Sequence, residues 1–494
     1  MDFLIPIPVI LPLLGAALSI LLGKFRYAQR TIGLIVLTAT SAASIALLVR
    51  ADDEGIIVTE AGGWAAPMGI TYVVDRLSGI MLLVASLMLL VVLVYAIGEG
   101  GAERRHVAFH PVYLVLAAGV GASFITGDLF NLFVAFEMML MASYVLITFG
   151  ASRQQMRAGT TYVVISLVAS TFFITALALV YAATGTVNMA DLAQRMPQLS
   201  DEMRAGFSIL LILVFGMKAA LFPLHVWLPD SYPSAPGPVL AIFAGLLTKV
   251  GVYAIIRTQT LLFPPESRQG TLLLVIAALT MLVGVLGALA QDELKRLMSF
   301  HIVGQIGYMI LGLGLFTVAG LSAVVFYIGQ TILVKVNLFL VVGLVGRHSG
   351  SSRISHVGGV ARSAPVLAAC FALPALSLAG LPPSSGFVGK FALIDAGAIS
   401  EQWPIVVVAL TVSLLTLYSM TKVWAGVFWG EAEVPLEGQP PRASVLMMLA
   451  TGVTVALSVA YILAAGPIHD LATRAGTDLL EPSIYIDSVL GGEG

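Results

Sequence analysis

The sequence predicts an all-α, polytopic membrane protein with about fourteen transmembrane helices. Hydrophobic residues make up 59% of the 494 residues and charged residues only 11%, and the mean hydropathy is +0.98. These values are far from those of a soluble domain. Apolar runs of spanning length also recur along the whole chain, and glycine and proline interrupt two of them. We therefore expect one membrane-embedded domain over residues 1–494, with its seventh and twelfth helices broken.

The spans follow from runs of apolar residues long enough to cross a bilayer. They are expected at about 4–22, 31–49, 78–97, 111–126, 129–149, 161–183, 206–223, 237–258, 271–290, 301–317, 321–346, 365–399, 404–429 and 443–465. The longest connection, from Arg50 to Leu77, is expected to form an external hairpin or cap. The tail after Pro467 is expected to be an interfacial or partner-facing extension.

The ends of the chain and its loop charges predict the orientation. Met1 and Asp2 lead into an apolar run without a basic segment, so this run is expected to be a first span and not a cleaved signal peptide. The loops after odd-numbered spans, one of which contains Arg442, hold more lysine and arginine than the opposite loops. The positive-inside rule then places both termini outside the cytoplasm.

The first interruption is the segment GMKAALFPLHVWLPDSYPSAPGP, from Gly216 to Pro238. Proline lacks a backbone N–H and fixes φ, so the helix that enters from Phe207 must break near Pro223. Irregular backbone at membrane depth is tolerated only inside protein or beside water, so this break is expected in the bundle interior. His225, just past the break, either passes protons to Lys218 or only hydrogen-bonds the loop.

The second interruption is the segment AGLPPSSG, from Ala379 to Gly386, and it precedes Lys390. Paired broken helices in corresponding halves indicate a transporter built from repeats, with its ion pathway at the breaks. If spans four to eight match spans nine to thirteen, the repeats cover about 111–258 and 271–429. Five spans per repeat is an odd number, so the two copies must be inverted. The alternative is that the breaks are two unrelated proline kinks.

Charged residues fall inside predicted spans, among them Glu137, Lys218, Lys249, Lys335 and Lys390. A charge at the centre of a spanning helix costs on the order of 2.5–3.5 kcal/mol and needs a reason. Glu137 is either a protonated carboxyl bonded to a neighbouring helix or the partner of Lys218 or Lys249. Burial favours a neutral amine and a nearby carboxylate favours an ammonium, so a buried lysine can load and release a proton.

Arginine could not do this, and we expect no arginine to be embedded, which favours a proton relay over static ion pairs. Lys422 lies nearer a span end and is equally explained by snorkelling. Other polar residues recur on one face of two spans, either as parts of the path or as interhelical hydrogen-bonding groups. These are Lys249, Tyr253 and Arg257, and then His301, Gln305 and Tyr308. Of these, His301 and Tyr308 are possible relay or proton-entry residues.

Several functions are not expected of this chain. Cys370 is the only cysteine, and with seven scattered histidines it supplies no plausible haem, iron–sulfur or zinc ligand set. We expect no cofactor, no metal site and no cage of carboxylates for a cation. The net charge is −2 and no lysine run is present, so nucleic acid is not an expected partner.

The same residues carry a resemblance to a known family. The motifs are FEMMLMASYVLITFG around Glu137, KAALFPLHVWLPDSYPSAP around Lys218, AGLLTKVGVYAIIR around Lys249, DELKRLMSFHIVGQIGYM around His301 and LAGLPPSSGFVGKF before Lys390. In this order they resemble the antiporter-like subunits shared by Mrp-type multisubunit cation/proton antiporters and respiratory complex I. The chain most resembles the D-type subunits of the Mrp antiporters, because it lacks the C-terminal extension of the A-type subunits. Its Gln305 also stands where complex I relatives more often have histidine.

The resemblance implies fourteen helices with two inverted five-helix repeats, and a proton relay through Glu137, Lys218, Lys249, Lys335 and Lys390. It also implies a bacterial inner-membrane protein that works with other membrane subunits and has protons and Na⁺ as substrates. The sequence departs from the family pattern in two places. Gln330 stands before Lys335 where relatives usually have histidine. Glutamine cannot take up a proton, so a water molecule could replace histidine in the proton transfer. DSY also replaces the commoner DAH at 230–232.

Two other functions remain open. The chain could be the proton-pumping membrane component of a complex I-like oxidoreductase or of a membrane-bound hydrogenase, with the redox chemistry in another subunit. It could also be a transport-dead scaffold that holds other subunits together.

Overall fold

The structure is a computed structural model that describes residues 3–150, 152–431 and 443–491. Met1, Asp2 and Arg442, which enter the predictions on orientation, lie outside these ranges. The described chain is mainly helical. Its first helices are α1 Ile7–Leu21, α2 Arg26–Asp53, α3 Arg76–Glu99, α4 Ala102–Arg105, α5 Phe109–Ile125, α6 Leu129–Thr148, α7 Arg153–Thr184, α8 Met189–Arg195, α9 Asp201–Ala219, α10 Trp227–Ser231 and α11 Gly237–Ile242.

The remaining helices follow with short connections. They are α12 Thr248–Leu261, α13 Gly270–Leu289, α14 Leu294–Gly314, α15 Val318–Ser349, α16 Val360–Ser363, α17 Pro365–Ala379, α18 Ser385–Ile399, α19 Trp403–Val423, α20 Val445–Leu463, α21 Ala465–Leu480 and α22 Pro482–Leu490. A π-helical segment, Phe243–Leu247, joins α11 to α12, and a second, Trp424–Trp429, extends α19. Two strands, β1 Ile57–Glu60 and β2 Thr71–Val74, pair antiparallel.

Ten helices of the described chain are long and apolar enough to cross a membrane, so the expectation of a polytopic membrane protein is confirmed. Three shorter apolar helices, α1, α5 and α17, accompany them. The exact count of fourteen spans and the inverted repeats stay predictions. Several helices extend past the predicted bounds, because a capped helix continues beyond the apolar run. For example, α7 begins at Arg153, where Ser152 and Gln155 form a capping box.

The centre of the bundle is formed by α11, α12, α14 and α15, which are buried along nearly their whole length. The outer helices bury one side only and expose apolar residues, such as Val134 and Met141 on α6. This arrangement places the central helices away from lipid, where polar side chains can find partners.

Both predicted interruptions are present. The first lies between Ala219, where α9 ends, and Trp227, where α10 begins, with Ala220 in the left-handed region at φ 60°. The second lies between Ala379 and Ser385, with Gly380 at φ 82°. Each helix therefore ends with a left-handed residue, the usual way to stop a helix and turn the chain.

The hairpin predicted between Arg50 and Leu77 is confirmed by β1 and β2. The tail folds back on its own chain, since α21 packs along α15 and α22 lies near α8 and β1, and its interfacial or partner-facing role stays a prediction. Ion pairs hold it there: Arg76 binds Asp478 at 2.7 Å, and Arg474 binds Asp52 at 2.7 Å. The tail thus covers one end of the bundle of its own chain.

We predict that the contact between α13 and α14 depends on Gly284. A Cβ at Gly284 would overlap the backbone N of Gly304, whereas a Cβ at Gly304 would meet nothing closer than 3.7 Å. Gly284→Ala should lower the free energy of unfolding by about 1–3 kcal/mol through overpacking. Gly304→Ala is the matched control and should be neutral or slightly stabilising. The measurement is the thermal unfolding midpoint of the purified protein, and equal midpoints for both variants would contradict this close approach.

Candidate functional site: a chain of buried lysines

Lys218 lies in a buried cluster where α6, α7 and α9 meet. Its Nζ donates to Ser170 Oγ at 2.9 Å and to the Ser166 carbonyl at 3.3 Å, both on α7. Ser170 Oγ in turn donates to the Glu137 carboxylate on α6. Lys218 Nζ stands 3.9 Å from Glu137 Oε1, so the predicted partner is adjacent. One serine hydroxyl therefore connects the carboxylate and the ammonium.

The surroundings of this cluster bury Lys218 but leave the Glu137 side chain 20% exposed. Lys218 is 7% exposed and occupies the last turn of α9, two residues before the break begins. The rings of Phe136, Phe173 and Phe215 pack together beside it. A cavity of about 20 Å³ borders Lys218, Ser166 and other residues of α7. That volume is enough for about one water molecule.

Sequence reasoning missed Ser170. Ser166 and Ser170 are four residues apart, and Tyr162 lies one turn earlier on the same buried face of α7. The hydroxyl of Tyr162 bonds Ser143 on α6 at 2.9 Å. This polar stripe with helical spacing could have indicated a contact with another charged helix.

Lys249 lies on α12, fully buried, but the structure does not bring it to Glu137. Its Nζ donates to the Ala244 carbonyl at 2.6 Å. Ala244 belongs to the π-helical segment, an irregularity that is frequent at functional sites. Of the two lysines expected near Glu137, only Lys218 is there.

Lys335 lies at the centre of α15 and is fully buried. Its Nζ has no hydrogen-bond partner among the described residues. It is close enough to Lys249 and Lys390 for electrostatic repulsion. His301 on α14 also interacts with Lys335 and Lys390, and its Nε2 lies 2.8 Å from Ser419 Oγ. The structure therefore groups Lys249, Lys335, Lys390 and His301.

Lys390 on α18 binds the end of α17 at the second break. Its Nζ donates to the carbonyls of Leu378 at 2.9 Å and Ala379 at 3.3 Å, the last residues of α17. An ammonium at a helix C-terminus satisfies free carbonyls and complements the helix dipole. The ring of Tyr308 lies 4.8 Å from the same ammonium, and its hydroxyl donates to the Ala409 carbonyl at 2.6 Å.

Gln330 stands where relatives usually have histidine. Its side chain connects α15 to α17 beside the second break. Ser377 of α17 donates to Gln330 Oε1 at 3.4 Å, and Gln330 Nε2 donates to Thr331 Oγ1 at 3.0 Å. Tyr327 donates to Gln305, so the predicted polar face of α14 contacts α15. These contacts support interhelical hydrogen bonding for Gln305.

His225 is less connected. It lies in the first break, its ring stacks on Phe222 at 5.9 Å, and its Nδ1 has no hydrogen-bond partner among the described residues. The described hydrogen bonds do not join it to Lys218. Both roles that the sequence left open for His225 stay predictions.

The expectation that no arginine is embedded is wrong. Arg257 on α12 is 5% exposed and forms an ion pair with Asp75 at 2.6 Å. The ring of Tyr485 from the tail lies 5.3 Å from the guanidinium. The partner comes from the residue before α3, which is distant in sequence, so the sequence alone did not show that Arg257 would be buried in an ion pair. Lys422, in contrast, donates to the carbonyls of Leu289 and Gln291 at the end of α13, as expected for a span end.

Comparisons with known proteins identify the family. The model for the family described as "NADH:quinone oxidoreductase/Mrp antiporter, TM" matches residues 126–416, more than half of the chain. The chain belongs to this family. This chain is 42% identical over 492 residues to the D subunit of the Na⁺/H⁺ antiporter of Alkalihalophilus pseudofirmus. The match covers 99% of this chain and 100% of that protein. The predicted resemblance is thus confirmed.

Solved structures agree with this assignment. The antiporter-family chain matches a chain of the Mrp complex from Dietzia sp. DQ12-45-1b with a TM-score of 0.94 and 32% identity, over 99% of this chain and 100% of that one. It also matches a chain of an archaeal membrane-bound sulfane sulfur reductase with a TM-score of 0.89 and 26% identity, over 98% of this chain and 99% of that one.

The described residues include no group of three or more His, Cys, Asp or Glu that could hold a metal ion.

We predict that Arg257 and Asp75 stabilise the antiporter-family chain as a pair. Arg257→Gln should reduce the free energy of unfolding by on the order of 3–5 kcal/mol, because it leaves a buried carboxylate unpaired. Asp75→Asn added to Arg257→Gln should recover much of this loss, since asparagine can still accept from Ser78 N at the start of α3. The measurement is a double-mutant cycle on thermal unfolding in detergent.

The control is the exposed pair of Arg296 and Asp230. Its disruption by Arg296→Gln should cost about 0–1 kcal/mol. Additive effects of the two substitutions at Arg257 and Asp75 would contradict the coupling.

Proposed function

We propose that this chain is the D-type subunit of a multisubunit Na⁺/H⁺ antiporter in the bacterial cell membrane. It is part of a transporter that assembles from several membrane subunits, with Na⁺ and protons as the substrates of the complex, and it moves protons through half-buried Glu137 and through buried Lys218, Lys249, Lys335 and Lys390. The proposal rests on one contact and on the full-length similarity to a D-type antiporter subunit. That contact is the connection from Glu137 through Ser170 to Lys218.

The connection supports a switch at Lys218. Glu137 and Lys218 pair through Ser170 in one state and separate in another. Pairing favours the ammonium, and separation in a dry site favours release of its proton. Protons then pass along Lys249, Lys335 and Lys390. His301 and Tyr308 lie beside these lysines. His225, in the break that follows Lys218, is a candidate entry residue.

The proposed topology has fourteen spans, with inverted repeats over about 111–258 and 271–429. The two breaks support this topology, since each falls in the corresponding helix of its repeat and has a lysine nearby. The excess of basic loop residues on one side supports extracytoplasmic termini.

A second candidate is the proton-pumping component of a redox complex, and the similarity to the sulfane sulfur reductase favours it. Purification of the chain with its native partners separates the two. An antiporter should show no flavin or iron–sulfur absorbance, whereas a redox complex should show one or both.

We predict that Glu137→Ala and Lys218→Ala, each in the assembled complex, lower Na⁺-dependent proton flux by at least about tenfold. Each variant removes one end of the connection through Ser170. The measurement is proton movement in membrane vesicles after addition of Na⁺, with the assembly of the complex checked by co-purification.

Lys422→Met is the matched control, because Lys422 is also a lysine of a spanning helix but binds only the carbonyls of Leu289 and Gln291. It should retain most of the flux. Unchanged flux in both Glu137→Ala and Lys218→Ala would reject the relay and leave the chain as a scaffold.

A further inference from the structure

A polar cavity of about 720 Å³ opens where α3, α11, α14 and α15 end or begin on the side of the basic loops. We name it the Glu99 vestibule. Its charged and titratable lining consists of Glu99, Arg105, His106, Glu293, Lys295 and Arg347. None of the five predicted relay residues lines it.

Glu99 is the carboxylate of this cavity that lies where the central helices begin. It is the last residue of α3, and its Oε1 lies against half-buried Gly237, the first residue of α11, at 3.1 Å from where a Cβ would stand. Within the described chain, its carboxylate forms no hydrogen bond or ion pair, although Lys295 and Arg347 act on it electrostatically. The other acid, Glu293, already accepts a hydrogen bond from Ser352. Glu99 is therefore free to take up a proton.

A polar connection leads inward from Glu99. Tyr95 lies one turn deeper on α3, about 6 Å along the axis, and is fully buried. Its hydroxyl donates to the Leu340 carbonyl on α15 at 3.1 Å. Lys335 is five residues further into α15, about 7.5 Å along the axis. Tyr95 therefore links α3, one turn below the vestibule, to the helix that carries Lys335.

The charges of the vestibule suit proton delivery and not Na⁺ entry. Arg105, Lys295 and Arg347 outnumber Glu99 and Glu293. A cavity with an excess of positive charge repels Na⁺ and attracts anionic proton donors such as dihydrogen phosphate. Such a donor can pass a proton to Glu99 without entering the core.

We propose that the Glu99 vestibule is a proton port, in which Glu99 exchanges protons between solvent on the side of the basic loops and Lys335. This inference rests on the proposed function, since it needs a proton path through Lys335. The proton moves from the buffer acid to the Glu99 carboxylate and then inward past the Tyr95 hydroxyl, and the reverse sequence releases it.

The test uses the assembled antiporter in vesicles with the vestibule side facing the bath. Glu99→Gln should lower Na⁺-dependent proton flux by at least about tenfold in weakly buffered solution. Raising phosphate at constant pH and ionic strength should restore the flux severalfold in Glu99→Gln, because phosphate then delivers protons directly into the vestibule. A cationic buffer at the same pH should restore less. Glu99→Asp keeps a carboxylate and should stay near the unmodified flux.

Asp292→Asn is the matched control, since Asp292 is an exposed carboxylate on the same side that does not line the vestibule. Its flux should be unchanged. Wild-type flux in Glu99→Gln at low buffer would overturn the port, and so would a loss that phosphate does not change in a normally assembled complex. If Glu137→Ala and Lys218→Ala abolish flux but Glu99→Gln does not, the port alone fails. If none of the three lowers flux, the proposed function fails.

Discussion

Three lysines in the helices of this protein, Lys249, Lys390 and Lys422, bind main-chain carbonyls at irregular points or ends of helices. In a membrane interior both a free carbonyl and an unpartnered ammonium are costly, so each needs a partner. Lys390 binds the last carbonyls of α17, Lys249 binds a carbonyl of the π-helical segment, and Lys422 binds carbonyls at the end of α13. At these places the helix irregularity and the lysine satisfy each other. Broken helices and embedded charges are thus one feature of the fold.

Lys218 and Lys335 differ from this pattern, and the difference bears on their roles. Lys218 donates to the Ser166 carbonyl at 3.3 Å, but it also binds the hydroxyl of Ser170 and lies near the carboxylate of Glu137, and these two are side chains that can change rotamer. Lys335 has no hydrogen-bond partner in the described chain. A main-chain carbonyl in a packed helix is fixed, so it holds an ammonium but does not switch it. Lys218 and Lys335 do not bind a helix end. They are therefore the lysines best suited to change their protonation state.

The sequence was sufficient to predict the breaks and the charged residues, because proline, glycine and isolated lysines are visible against apolar runs. It was insufficient for Ser170, since a serine in a spanning helix is common and its partners lie on two other helices. It was also insufficient for Arg257, because Asp75 meets it only in the folded bundle. The π-helical segment has no composition of its own, so the contact between Lys249 and Ala244 could not be anticipated either.

The energies at Lys218 are compatible with a switch driven across a membrane. Two unit charges 3.9 Å apart, the separation of Lys218 and Glu137, attract by about 4 kcal/mol at an effective dielectric constant of 20. Moving one charge across a membrane potential of 100 mV changes its free energy by about 2.3 kcal/mol. The membrane potential alone therefore does not separate the pair. Ser170 can keep a hydrogen bond to one partner while the other leaves, which lowers the cost of separation. A hydroxyl between the charges thus brings the pair into the range that a membrane potential and a proton gradient can move together.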